Sequence, residues 1–194
     1  MIAGHFGLAA AVKGKEPSAP LWALMLATVW LDVVFAPLFA MGIERIDPIA
    51  GTRGGYGNGI IHADYTHSLV GAALLAVLFG ALAARPWGKR VGTVLGAVVF
   101  SHWVLDLVVH RADMPLLPGN AGGLPSLGFG LWRVPAVSAA VELVFVIAGS
   151  LLYWRAAQRV VRDASPVDQR RARLLAALVA IAGVTTLALD VFVG

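Results

Sequence analysis

Cysteine is absent from the 194-residue chain. Its absence excludes a disulfide framework, a thiolate metal site, an iron–sulfur cluster and a cysteine nucleophile, so any metal must be held by nitrogen and oxygen. Charge is also scarce. Asp, Glu, Lys and Arg make up 13% of the chain, against about a quarter in ordinary soluble domains, while 59% is hydrophobic and the mean hydropathy is +0.80. This composition excludes an ordinary soluble domain and a disordered chain, and it places the protein in a bilayer. A net charge of +4 with a pI near 10 does not point to nucleic acid, because the cations stand at the ends of apolar runs rather than among exposed aromatics. There is no internal repeat and no sign of a second, soluble domain, so residues 1–194 read as one transmembrane domain.

A hydrocarbon core takes about 20 apolar residues at 1.5 Å each. Five runs meet that length: 20–41, 65–84, 91–110, 134–154 and 174–193. The first 12 residues are apolar but too short to span, and Lys13 and Lys15 follow the run instead of preceding it as in a signal peptide. They predict an N-terminal half-helix, stopped by Pro17 and Pro20. The fold expected is an all-α integral membrane protein of five transmembrane helices plus that half-helix. Eleven of the 15 Lys and Arg fall on one side of this scheme; Arg45, Arg53, Arg111 and Arg133 fall on the other. The enrichment of cations on cytoplasmic flanks then sets the orientation as N-in and C-out. The loops 42–63 and 111–133 face outward, and their glycines and prolines predict irregular structure able to cover a site. Trp87, Trp132 and Trp154, near predicted span ends, fit an interfacial belt.

An ionised side chain at the centre of a membrane helix costs about 2.5–3.5 kcal/mol on insertion scales, so such residues are rare and usually functional. Every span here holds at least one: Asp32; His67; His102, Asp106 and His110; Glu142; and Asp190. Counted at 1.5 Å per residue from the cytoplasmic ends, Asp32, His102, Asp106, His67 and Glu142 lie about 17–26 Å up and share the outer half of the membrane, with His5 about 12 Å up. His102, Asp106 and His110 recur at i, i+4 and i+8, one stripe of a helix, and Asp113 extends it. A histidine and a carboxylate one turn apart can ligate one ion. With His67, Asp32 and His5, the set gives five N/O ligands, a chemistry that suits zinc, with manganese and iron as alternatives. A second ion would draw on Glu142, His110, Asp113 or His62. The plainer readings are a helix–helix hydrogen bond for Asp32 and for Asp190, a structural pair for His102 with Asp106, and a solvated loop position for His62 and Asp64. Arg155 to Arg173 read as a solvated turn touching anionic lipid.

Four segments carry a family resemblance: GHFGLAAAV at 4–12, LD at 31–32, HADYTHSLVGA at 62–72 and SHWVLDLVVH at 101–110. They resemble the bacterial family labelled inner-membrane metal-dependent hydrolases, with its N-terminal Gly-His, an early Asp, a His-x3-Thr-His-Ser motif and Ser/Gly-His-x3-Asp. By position the resemblance implies functional roles for His5, Asp32, His62, His67, Ser68, His102 and Asp106. HRADMPLLPG at 110–119, LGFGLW at 127–132 and VELVFVIAG at 141–149 bring the whole chain closer to a branch of bacterial membrane proteins sometimes called permeases, which carries no activity to transfer. The ligand set is also similar in outline to that of zinc-dependent phospholipase C. Two departures stand out. Leu31 replaces the family's proline, and Ala63-Asp64 replace Arg-Gly, which removes a phosphate-binding arginine.

The leading expectation is a membrane-embedded metal-dependent hydrolase of the bacterial inner membrane, acting on a lipid or lipid-linked substrate at the outer half of the bilayer. His5, Asp32, His62, His67, His102 and Asp106 are its candidate ligands, and Glu142, Asp113 and His110 its candidate catalytic groups. A transporter of a small solute, metal or protons would need polar residues toward the cytoplasmic face, where spans two, three and five have almost none. A non-catalytic metal-binding subunit of a membrane complex is the third reading; the partners expected are the bilayer, a lipid-linked substrate, and a membrane-complex partner or a second copy of the chain.

Overall fold

The computed structural model describes residues 1–51 and 55–192; Arg53, counted above among the outward cations, lies outside the described residues, as does the last residue of the fifth expected span. The chain is mainly helical. Helix α1 covers Ile2–Lys15, α2 Leu21–Thr28, α3 Trp30–Ala40, α4 Leu69–Val109, α5 Pro135–Val160 and α6 Pro166–Phe192. Three helices, α4, α5 and α6, are long and apolar enough to cross a membrane, and the bent pair α2–α3 makes a fourth if it counts as one span. Their outer faces are greasy: Val144, Ile147, Leu178 and Ile181 are 48–64% exposed. A soluble monomer rarely shows so wide an apolar face.

The second and third expected spans form the single 41-residue α4, interrupted at Gly88, whose φ of 81° and ψ of 163° are not helical. The two limbs fold back on each other there. A Cβ at Gly92 would lie 2.5 Å from the Gly80 carbonyl oxygen, so the limbs touch backbone to backbone. Each limb is about 30 Å long at the α-helical rise. The first begins later than expected, at Leu69. Ser68 caps it by accepting from the Gly71 N–H at 3.1 Å, which leaves His67 in the turn before the helix.

The first expected span is broken, with α2 and α3 meeting at 50° across Val29. Broken helices are tolerated at membrane depth where protein covers the freed backbone, and here Thr28 is fully buried. The fourth and fifth expected spans extend into α5 and α6. The loop expected at 42–63 is more regular than its glycines suggest, because β1 (Arg45–Pro48) pairs antiparallel with β2 (Gly59–His62), Arg45 opposite His62.

Helix α1 lies against α5 along its length. Gly7 and Gly149 permit the contact: a Cβ on Gly149 would sit 1.9 Å from the Gly7 carbonyl oxygen. Small residues let membrane helices approach this closely. The main core of Leu24, Leu31, Leu95, Val99 and Trp103 joins α2, α3 and α4. Together these contacts surround the second limb of α4, after Gly88, with α1, the α2–α3 break and the turn before α4.

Candidate metal centre

Asp106 is the hub. It stands on the second limb of α4, 97% buried, one helical turn from His102 and one from His110. Its Oδ2 lies 3.1 Å from His102 Nε2, 3.6 Å from His110 Nε2 and 3.7 Å from His67 Nε2. Its Oδ1 lies 3.0 Å from His5 Nε2. Asp32 Oδ1, from the first turn of α3, is 3.6 Å from both His67 Nε2 and His102 Nε2, and those two nitrogens are 3.2 Å apart. His5, His102 and Asp106 form one compact group of potential ligands, and Asp32, His67 and His102 a second.

The outer nitrogens decide what the inner ones can do. His102 Nδ1 is 2.7 Å from the Thr28 carbonyl oxygen, which can only accept, so Nδ1 carries the proton. That carbonyl is free to accept because the helix breaks at Val29. His67 Nδ1 is 2.9 Å from Thr66 Oγ. Thr66 donates its hydroxyl proton to the buried Glu44 carboxylate, at 2.9 and 3.1 Å from its two oxygens, so Thr66 Oγ accepts from His67 Nδ1–H. Glu44 is held in turn by the N–H groups of Tyr65 and Thr66, at 2.8 and 2.9 Å. His110 Nδ1 donates to Asp113 Oδ1 at 3.0 Å. Three imidazoles thus have Nδ1 committed to an oxygen and turn a basic Nε2 toward Asp106. Metal-binding histidines are oriented in this way.

Two basic nitrogens 3.2 Å apart repel unless something positive lies between them. Ligands at 2.0–2.1 Å from a tetrahedral ion stand about 3.3 Å from each other, close to the 3.1–3.7 Å separations here. The donor set of imidazoles and carboxylates fits a divalent ion of intermediate hardness. Buried His and Asp groups that could hold a metal ion are therefore present.

A cavity of about 410 Å³ opens beside the cluster. Asp32, His67, Asp106 and His110 supply its polar wall; Ile2, Phe35, Ile46 and Ile61 supply apolar wall. Asp190, read from the sequence as a helix–helix hydrogen-bonding group, also faces this cavity.

The other expected site residues lie further out. His62 pairs with Asp47 at 3.0 Å across the β-hairpin and belongs to neither ligand group. Asp113 has both oxygens engaged, Oδ1 by His110 and Oδ2 by the Ile61 N–H at 3.0 Å. Glu142 is fully buried behind the cavity wall, its Oε2 accepting from the Gly4 N–H at 3.2 Å and its Oε1 from Tyr56, which is also 2.9 Å from Ser138 Oγ. Burial and the hydrogen bond to Glu142 push the Tyr56 phenol above its ordinary value. Trp132 is not part of an interfacial belt; it is buried against His110 with ring centroids 4.5 Å apart.

Sequence reasoning missed Glu44, Tyr56 and the Thr28 carbonyl. Thr66 stood inside the quoted Thr-His-Ser segment, and its place beside His67 was the one available signal. Comparisons with family models, with curated proteins and with solved structures gave no match.

Proposed function

We propose that the chain is a membrane-embedded, metal-dependent hydrolase acting on a lipid or lipid-linked substrate. The observation that carries this reading is the set of three imidazoles whose Nδ1 protons are committed to oxygen while their Nε2 atoms converge on Asp106. His67, His102, Asp32 and Asp106 would hold the ion, with His5 against the far oxygen of Asp106 and zinc the best match to the donors. When bound, such an ion supplies Lewis acidity and activates water for hydrolysis. Thr28, Glu44 with Thr66, and Asp113 fix the imidazoles, while Asp190, on the cavity wall and outside the ligand set, would be the carboxylate that accepts a proton from water. The apolar wall of Phe35, Ile46 and Ile61 suits an acyl or isoprenoid chain beside the reacting group.

The two limbs of α4 would be separate crossings, giving five with α2–α3, α5 and α6, and the Lys- and Arg-rich end would face the cytoplasm of a bacterial inner membrane. The test is hydrolysis in proteoliposomes made from bacterial membrane lipid. Protein reloaded with zinc should release lipid-derived products, detected by mass spectrometry, that chelator-stripped protein and Asp106→Asn do not. Equal product from all three would overturn the assignment.

A further inference from the structure

The cations at the end of α1 remote from His5 fall into two kinds. Some are satisfied: Lys13 Nζ donates to the Pro17 and Ala19 carbonyls at 2.7 and 2.8 Å, and Arg90 pairs with Glu16 at 2.9 Å. Lys15, Arg155 and Arg159 differ. Their side chains have no hydrogen bond or ion pair among the described residues, yet all three line one cleft of about 300 Å³ between α1 and α5, completed by Gly14, Leu152 and Ala156. Arg155 and Arg159 are one turn apart on one face of α5, where like charges repel. Lys15 is drawn in beside them because Gly14 rides on α5; a Cβ there would meet the Leu152 carbonyl oxygen at 3.0 Å. Three like charges brought together, with no acid among the described residues that line the cleft, form a receptor for an anion.

The surface next to the cleft says which anion. Leu152 belongs to the cleft, and from it the exposed apolar face of α5 runs through Leu151 and Ile147 to Val144, 41–64% exposed. A phosphate in the cleft would therefore have hydrocarbon-covering surface directly beside it. We infer that Lys15, Arg155 and Arg159 form a binding site for the phosphate headgroup of an anionic phospholipid, whose chains lie along α5. The site lies some ten residues of α1 from His5, about 15 Å, and is independent of the hydrolase reading.

The test uses the full chain in nanodiscs of phosphatidylcholine doped with phosphatidylglycerol, with bound lipid counted by native mass spectrometry and thermal midpoint as the second readout. The wild type should retain phosphatidylglycerol in preference to phosphatidylcholine and melt at higher temperature with it. Arg155→Gln/Arg159→Gln should weaken that preference about thirtyfold, the loss of two headgroup-facing cations. Arg85→Gln/Lys89→Gln, which removes the same charge elsewhere at this end, should leave it intact. If the double variant does not fold, Lys15→Gln alone should still lower the preference. The proposal is overturned if the two lipids bind alike, if the Arg155/Arg159 variant keeps the preference, if both charge-removing pairs lose it equally, or if inorganic phosphate protects as well as the lipid does.

Discussion

At the scale of single residues, His67, His102 and His110 each have Nδ1 committed to an oxygen, which leaves Nε2 free to face Asp106. Thr66 shows this best, because its hydroxyl stands between Glu44 and His67. Thr66→Val removes the acceptor for His67 Nδ1–H while keeping side-chain volume, so zinc affinity in a calorimetric titration should fall about 10- to 100-fold. Unchanged affinity would mean that His67 is not a ligand. The His102, Asp106, His110 stripe was legible in the sequence because i, i+4, i+8 spacing is a local property of a helix. Asp32 and His5 were legible through depth, since acids and histidines at one height in lipid have reason to meet, and through the motifs that carry the family resemblance. Glu44 was not legible: a carboxylate in a loop looks solvated until tertiary structure buries it under two backbone N–H groups. The Thr28 carbonyl could not be read at all, because a backbone oxygen becomes a ligand-orienting group only where its helix breaks.

At the scale of elements, two glycines set the geometry. Gly88 reverses α4 with a φ and ψ open to glycine alone. Gly88→Ala should cost about 1–3 kcal/mol and lower the thermal midpoint in detergent. Gly149 lets α1 lie on α5, and its replacement by alanine would push α1 away from the bundle. Because α1 carries His5 to Asp106, Gly149→Ala should reduce metal retention as well as stability, whereas Gly88→Ala, remote from the cluster, should reduce stability more than metal retention. Equal metal content in Gly149→Ala and the wild type would detach α1 from the site. The turn after α1 adds a pH dependence. The hydrogen bond from Ser18, with Arg90 second, holds the Glu16 carboxyl below its ordinary 4.5. A depressed carboxyl stabilises the fold above its unfolded value and stops doing so as pH falls through the folded one. Thermal midpoints below about pH 4.5 should therefore fall more steeply in the wild type than in Glu16→Gln.

At the scale of the whole molecule, the composition announced a membrane protein, and three apolar helices of sufficient length with a bent fourth agree with it. Span boundaries were harder to read, since hydropathy cannot see a helix broken at Val29 or a reversal at Gly88. The proposed five-crossing topology is directly testable, because a chain without cysteine reports each engineered thiol alone. In right-side-out cells, Ala121→Cys should react with an impermeant maleimide, and Lys89→Cys and Asp163→Cys should react only after lysis. The central claim, that the histidines converge because a cation sits among them, is tested most directly by elemental analysis of the protein purified without added metal. The account predicts at least one divalent ion per chain in the wild type and in His62→Ala, and its loss in His67→Ala/His102→Ala. A wild type free of metal that also fails to take up zinc, or a double variant that retains it, would contradict the account and leave a proton as the only charge bridging those nitrogens.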